Sequence, residues 1–496
     1  MSGPRAAPYA RRLAAVTRLR AWAPTGDDDM NRAYNAATQA DDLEIGRTMD
    51  YLDAIAYLHG LTDYETKRVR RYTPETFDLS RVERMLEAVG NPHRDFASVH
   101  IAGTKGKGST AAMIESCLRT AGHRTALYTS PHLHTFRERI SVAGEKISRD
   151  DVVALVEELR PLVERMPGLT TFEVITTMGF LHFARSDVEL AVVEVGLGGR
   201  LDATNVLSPE VAVITSISLD HTYLLGDTLD EIAREKGGII KSGVPTVTAR
   251  QHAEAIRALE EIGERRGAPL IQVSRDWDCQ AGPADSAGQS FAVRRTGDGG
   301  SPFDGEYWIP LLGRHQLENA ASAIAALQVL SERGFHLPVT AVRDGLRDTQ
   351  WLGRLEVLSQ EPLVVVDSAH NPYSARVLRE ALEEWFPERK WVLVFGASVD
   401  KDAAGMLEAL VPMSDYTIVT RARHPRAMAP TELADIVAEV GGGAEVSLNA
   451  RKSLERALEV MNSQNGVLGT GSIFLVADLR DAWARYNGTP VPDNDE

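Results

Sequence analysis

Apolar residues recur along this chain in two alternating rhythms, and the alternation is itself a structural prediction. Helical spacing appears in YLDAIAYLHGL from Tyr51 and in LSRVERMLEAVGN from Leu79, which ends near Gly90 and Pro92. Phe96, Val99 and Ile101 then supply a strand, RTALYTSPHL a second, and ELAVVEVGLGG and VAVITSISLDHT two more that are almost continuously apolar. Such runs fit strands of a parallel sheet with both faces covered. Between them, ISRDDVVALVEELRPLVERM and TFEVITTMGFLHFARS read as helices, and TLDEIAREKGGIIKSG opens with Thr228 and Glu231 at capping-box spacing.

Beyond Gly282 the rhythm breaks into a Gly/Ser/Asp-rich passage to Gly305, expected as a hairpin or loop insertion. A long apolar helix follows in LLGRHQLENAASAIAALQVL, with Arg314, His315, Gln316 and Asn319 at its entry. The pattern resets between Asp348 and Gly353, where a domain boundary is expected. From there LVVVDSAH, WVLVFGAS, DYTIVT, AEVSL and SIFLVADL read as strands separated by helices, a second, mostly parallel Rossmann-like unit. The fold class is α/β, with domains over 46–348 and 349–496. Residues 1–45, arginine-rich and then polar, read as a disordered extension; a transit peptide or a start site placed too far upstream fits equally.

Composition narrows the partners. At 496 residues the chain exceeds one core, and 43% hydrophobic content suffices for two or three. A net charge of -16 repels a phosphate backbone, so nucleic acid is not an expected partner. No apolar run approaches the ~20 residues of a membrane span, and the N-terminus lacks a secretory apolar core, so a cytoplasmic protein without a membrane partner is expected. Cys117 and Cys279 lack ligand spacing and read as ordinary buried thiols.

The chemistry concentrates at FASVHIAGTKGKGST, a strand, a glycine-rich turn and the opening of a helix. Gly103, Gly106 and Gly108 free the backbone N–H groups to converge on an anion, and the helix N-terminus adds about half a positive charge. Lys107 is expected between the β- and γ-phosphates of a nucleotide, with Ser109 and Thr110 following. The loop departs from the general phosphate-loop pattern, because Gly108 stands where Ser or Thr should follow the lysine. Ser130, Glu194 and His221 lie at other strand exits that could face one cleft. A carboxylate at the end of an apolar strand implies a cation or a functional partner, the alternative being a solvated strand end. VGLGGR at Val195–Arg200 is only a partial dinucleotide pattern and does not support an NAD site.

In order, GTKGKGST, YTSPHLHTFRERI, TTFE, EVGLGGRLDATN, LDHT, REKGGIIK, GRHQLENA, WLGRLE and DSAHNP resemble the folylpolyglutamate synthase and dihydrofolate synthase family of Mur-type ligases, over roughly Met49 to Arg480. The resemblance implies an N-terminal P-loop ATPase domain, a C-terminal Rossmann-like domain and ATP between them. It implies that Gly106, Lys107, Gly108 and Ser109 bind ATP phosphates, and that Asn319, Arg354 and Asp367 contact ATP, with His370 catalytic beside them. Ser130, Glu194 and His221 are implied magnesium ligands, with Lys236 carrying a carbamate that approaches a second magnesium. Thr170, Thr171, Phe172 and Glu173, with Arg200, Leu201 and Asp202, match the pterin-substrate region; His424, Arg426 and Ser472 fall in motifs placed near glutamate. Lys105, Leu352, Ser368 and Gly237 depart from the family's usual GTNGKGS, WPGR, DGAHN and EKAGI.

The implied reaction is ATP-driven attachment of L-glutamate to folate, and to dihydropteroate as a second acceptor, through an acyl phosphate in a monomer. A peptidoglycan-type Mur ligase and an ATPase switch without ligase activity are the alternative readings.

Overall fold

The computed structural model describes residues 49–62, 77–297 and 299–495. The extension expected over residues 1–45 lies outside the described residues.

Eight strands form the first sheet. They are β1 (Ala97–Ala102), β2 (Thr125–Tyr128), β3 (Ile140–Val142), β4 (Glu145–Lys146), β5 (Leu190–Glu194), β6 (Val211–Ile214), β7 (Thr246–Thr248) and β8 (Leu270–Gln272). Their order is β4-β3-β2-β5-β1-β6-β7-β8, parallel from β2 to β8, with β3 and β4 as an antiparallel edge. Every residue of β5 and β6 is buried, which is why their sequences run apolar without alternation. The chain leaves β1 toward β2 on one side and β6 toward β7 on the other, opening a crevice at the carboxyl ends of the central strands.

One face of this sheet packs on helices Lys107–Thr120, Arg314–Glu332 and Val339–Arg347. The other packs on Tyr51–Gly60, Leu79–Ala88, Arg149–Arg165 and Thr171–Arg185. The passage expected as a hairpin or loop belongs to a three-stranded antiparallel sheet: β9 (Trp277–Asp285), β10 (Gly288–Arg295) and β11 (Gly305–Ile309). Its Trp277, Phe291 and Tyr307 join the core under helix Arg314–Glu332, so the insertion is packed into the domain. Cys117 is buried there; Cys279, expected to be buried, is only partly so.

The second large sheet comprises β12 (Glu356–Gln360), β13 (Leu363–Asp367), β14 (Lys390–Phe395), β15 (Ser414–Val419), β16 (Ala444–Val446) and β17 (Asn465–Thr470). Its order is β12-β13-β17-β14-β15-β16, parallel except for β12. One expected element is corrected: SIFLVADL is no strand but the start of helix Ile473–Asn487, capped by Ser472. The strand is the preceding NGVLGT, whose glycines obscure it. A Cβ at Gly466 would lie 2.7 Å from Trp391 and one at Gly469 2.2 Å from Leu479, so the large neighbours take the space that side chains of this central strand would fill.

Two contacts tie the sheets' flanks together. Arg314 pairs with Glu384 at 2.8 Å, and Arg480 donates to His134 at 2.6 Å. Among the described residues no helix is long and apolar enough to cross a membrane.

Candidate active site

The exits of β1, β5 and β6 and the loop after β13 enclose a cleft of about 310 Å³. Its lining includes Gly106, Lys107, Gly108, Ser109, Ser130, Glu194, His221, Lys236, Asn319, Arg354, Asp367 and His370. The residues expected to hold nucleotide and metal therefore meet in one place, from both large sheets.

The helix after β1 begins at Lys107, and Gly106 is its N-cap at φ +88°. A Cβ at Gly106 would lie 2.3 Å from Asn319 Oδ1, so both the left-handed backbone and that close approach require glycine. Asn319 is held in turn by donating its Nδ2 to Gln316 at 2.9 Å. Ser109 and Thr110 are buried in the first helical turn, and Thr110 Oγ1 has no hydrogen-bond partner.

Lys107 Nζ lies 3.6 Å from Glu194 Oε1, while Ser130 N donates to Glu194 Oε2 at 3.4 Å. Burial raises the Glu194 pKa and Lys107 opposes that shift. The structure thus supplies the cationic partner that a buried strand-end carboxylate demands, and the solvated-end alternative falls away: Glu194 is 4% exposed.

Lys236, the last residue of helix Leu229–Lys236, is buried and donates to Gly103 O at 3.0 Å. Burial, and then the nearby Lys107 charge, push its pKa down to about 7, so the neutral amine is well populated near neutral pH. The Gly237 departure lies outside the cleft, where a Cβ would meet Ile262 at 2.6 Å. His221 caps the short helix Thr222–Leu225 with φ +50°, seven residues beyond the end of β6 rather than at the strand's own exit. Burial pushes its pKa down to about 4 despite Asp220 beside it.

Across the cleft, Asp367 accepts from Leu355 N at 2.7 Å and Ala369 N at 2.8 Å. Burial raises its pKa and Arg354 opposes the shift. His370 Nδ1 lies 2.9 Å from Ser368 O. A carbonyl only accepts, so this nitrogen carries the proton and Nε2 offers a lone pair.

The remaining expected residues lie elsewhere. Thr170 and Glu173 form the capping box of helix Thr171–Arg185, and Glu173 also pairs with Arg81 at 3.0 Å. Thr171 Oγ1 donates to Leu58 O, and Phe172 meets Tyr128 edge-on. Asp202 is buried, accepting from Leu197 N and Thr204 N, while the exposed Arg200 pairs with Glu235 at 2.8 Å; Leu201 is half-buried between them in the chain. His424 stacks on Phe474 with ring centroids 3.8 Å apart, Arg426 lies 3.5 Å from Asp400, and Ser472 caps its helix.

Residues not singled out as site residues also line the cleft. Trp351 covers Gly108, where a Cβ would lie 2.3 Å from its ring; His315 and Tyr373 add aromatic surface, and Lys105 and Asp220 add charge. Trp351 and His315 sat within the quoted WLGRLE and GRHQLENA strings, but a string does not say which of its members faces a cavity.

Comparison with known proteins follows this geometry. Residues 101–327 match the Mur ligase middle domain, and 353–473 match the Mur ligase glutamate ligase domain. The chain is 34% identical over 442 residues to a dihydrofolate synthase/folylpolyglutamate synthase of Bacillus subtilis, covering 87% of this chain and 98% of that protein. Another of that name, from Mycobacterium tuberculosis, is 35% identical over 442 residues, covering 82% and 90%. The solved Mycobacterium tuberculosis folylpolyglutamate synthase complexed with ADP superposes with a TM-score of 0.77 at 33% identity, over 89% of this chain and 99% of that one. An FPGS–AMPPCP–folate complex superposes with a TM-score of 0.74 at 30% identity, over 87% of this chain and 99% of that one.

Proposed function

The chain belongs to the folylpolyglutamate synthase/dihydrofolate synthase family of Mur ligases, ATP-dependent enzymes that add glutamate to folates. From that premise we propose that it is a cytoplasmic monomer that joins L-glutamate to a folate and also to dihydropteroate, with an acyl phosphate between ATP and amide. The observation that carries this reading is the placement of Lys107, Glu194, Lys236, Arg354 and Asp367 around one cleft bordered by both sheets.

In this reading the 46–348 domain holds the phosphates and the pterin end of the acceptor, and the 349–496 domain orients the amine. Backbone N–H groups from Gly106 to Ser109 and the Lys107 ammonium bind the β- and γ-phosphates, and the aromatic surface of Tyr373 and His315 suits the base. The acceptor carboxylate oxygen attacks the γ-phosphorus and ADP departs. The glutamate amine then attacks the acyl carbon, loses a proton and displaces phosphate. The amine proton leaves with the phosphate, while His370, implied as catalytic, would act here through Lys105, from which its Nε2 accepts at 3.1 Å. Positioning of the three reactants is the protein's main contribution.

Magnesium fits the donors at this cleft. Among the described residues no group of three His, Cys, Asp or Glu side chains is placed to hold a metal. One buried carboxylate with a hydroxyl nearby suits magnesium, which keeps positions for phosphate and water. Ser130, Glu194 and His221 would hold it, and a carbamate on Lys236 would hold a second; bound there, magnesium neutralises charge on the transferred phosphoryl group. The depressed Lys236 pKa supports the carbamate, because only the neutral amine combines with carbon dioxide. The pterin-region residues Thr170–Glu173 and Arg200–Asp202 would act by shaping the walls, and His424, Arg426 and Ser472 by receiving glutamate.

The decisive experiment is mass spectrometry of products from dihydropteroate and from tetrahydrofolate, each supplied with glutamate and ATP. Glutamylated product from both supports the bifunctional reading, product from one restricts it, and phosphate release without either product returns the ATPase-switch reading.

A further inference from the structure

The phosphate loop carries a second lysine, and its contacts differ in kind from those of the first. Lys107 engages Glu194 within the first domain. Lys105 Nζ donates to Asp220 Oδ2 at 3.0 Å and lies 3.1 Å from His370 Nε2. Asp220 follows β6, whereas His370 follows β13 of the other large sheet. Asn371, beside His370, donates its Nδ2 to the same Asp220 oxygen at 2.9 Å. One carboxylate oxygen therefore collects a donor from each domain, and one ammonium reaches an acceptor in each.

The geometry also fixes proton positions. His370 Nδ1 carries the proton given to Ser368 O, so Nε2 is the lone pair that accepts from Lys105. An ammonium has three N–H groups; two are used, and Lys105 also lines the cleft. Asp220 balances the lysine charge at 11% side-chain exposure, against 22% for Lys105, so little solvent screens the pair. Burial lowers the Lys105 pKa and Asp220 opposes that.

We propose that Lys105 is a positioning residue for ligation: through His370 and Asp220 it locks the phosphate loop to the C-terminal domain, so that γ-phosphate and acceptor are aligned only when the two domains are closed on one another. Neither the nucleotide's own affinity nor the fold depends on that lock. The role rests on the ligase reaction proposed above and adds to it a residue that acts on alignment.

The test uses the full chain with Lys105→Met and Lys105→Arg, measuring kcat, the KM of each substrate, and the Kd of a non-hydrolysable ATP analogue. For Lys105→Met, kcat is expected to fall at least tenfold while the analogue Kd changes less than threefold; Lys105→Arg, which keeps the charge and a donor, recovers part of kcat. In Lys105→Met/His370→Phe the losses are not additive, because both changes break the same contact. A Lys105→Met kcat within twofold of wild type overturns the proposal. So does an analogue Kd that loosens as much as kcat/KM falls, which would make Lys105 an ordinary phosphate ligand, and so do additive losses in the double variant. If Lys105→Met does not fold, Lys105→Gln takes its place under the same criteria. A wild-type chain that forms no glutamylated product overturns the ligase reading and this role with it, whereas an active wild type beside an unimpaired Lys105→Met overturns the role alone.

Discussion

Two glycine-rich exits stand side by side in this molecule and do different work. GTKGKG leaves β1 and VGLGG leaves β5, from strands paired in parallel from Ala97↔Leu190 to Ile101↔Glu194. Both line the cleft. The first runs into a helix of 14 residues whose N-terminal N–H groups and lysine face the cavity. The second runs into a 3-10 turn, Ala203–Val206, and is folded on itself by Asp202, which accepts from Leu197 N at 2.9 Å and from Thr204 N at 3.0 Å. A Cβ at Gly199 would lie 2.9 Å from both Glu235 O and Lys236 O, so glycine there admits another part of the protein's own backbone. Glycine content alone does not make an anion site; a helix N-terminus and a cation do.

The sharpest way to break the comparison is at Lys107. Lys107→Ala removes the cation of the first exit, and kcat/KM is expected to fall on the order of 10³-fold, the usual loss when one preorganised charge is taken from a water-poor site. Phosphate-release kinetics with acceptor and glutamate present measure it; near-normal turnover would remove the first exit's distinction. The protein should still fold, since loss of Lys107 leaves burial to raise the Glu194 pKa further and a proton can then neutralise the buried carboxylate.

Lys236 links the two exits, for it donates to Gly103 O of the first while its own backbone crowds Gly199 of the second. Lys236→Ala should lose roughly 10²- to 10³-fold in kcat, as when a ligand or charge is removed from an electrostatic site. Short carboxylic acids should restore part of it, whereas Lys236→Arg should not respond, because arginine carries no carbamate. Wild-type turnover of Lys236→Ala in bicarbonate-free buffer would refute the carbamate. Glu194→Gln, at the end of β5, should cost about 10²-fold and raise the magnesium concentration needed for half-maximal rate; an unchanged magnesium titration would exclude it as a ligand.

What the sequence made legible follows the same contrast. Continuous apolar runs and the lysine-bearing loop are local signals, so β1, β5, β6 and the phosphate exit could be read directly. The strand Asn465–Thr470 could not, because its glycines are explained only by side chains packed over them, Trp391 from a distant strand and Leu479 from the following helix, and the apolar SIFLVADL beside it imitated a strand. Convergence of Lys107, Glu194, Lys236 and Asp367 was inferable from strand exits and motif resemblance. The bond from Lys105 to His370 was not, since it joins residues 265 positions apart through side-chain geometry alone.

Arg200 gives the smallest and most discriminating prediction, because it ends the second exit and carries two incompatible readings. By resemblance it belongs to the folate region; by geometry it is an exposed side chain, 44% accessible, whose guanidinium makes three hydrogen bonds to Glu235. An exposed pair of this kind contributes about 0.5 kcal/mol or less, since solvent screens it and ordering two long side chains offsets the attraction. Arg200→Ala should therefore shift thermal unfolding by no more than a degree or two, roughly the value for so small a change in a chain of this size. Its kinetic consequence separates the readings: if the second exit only packs against Lys236, the KM for folate stays within about twofold, because no desolvated charge contact is lost. A tenfold rise in folate KM with kcat unchanged would instead make Arg200 a uniform binding contact and give the second exit a ligand of its own. We expect the first outcome with dihydropteroate, which lacks the glutamate carboxylates an arginine would pair with, and a larger rise confined to glutamylated folates would locate Arg200 beside that acidic tail.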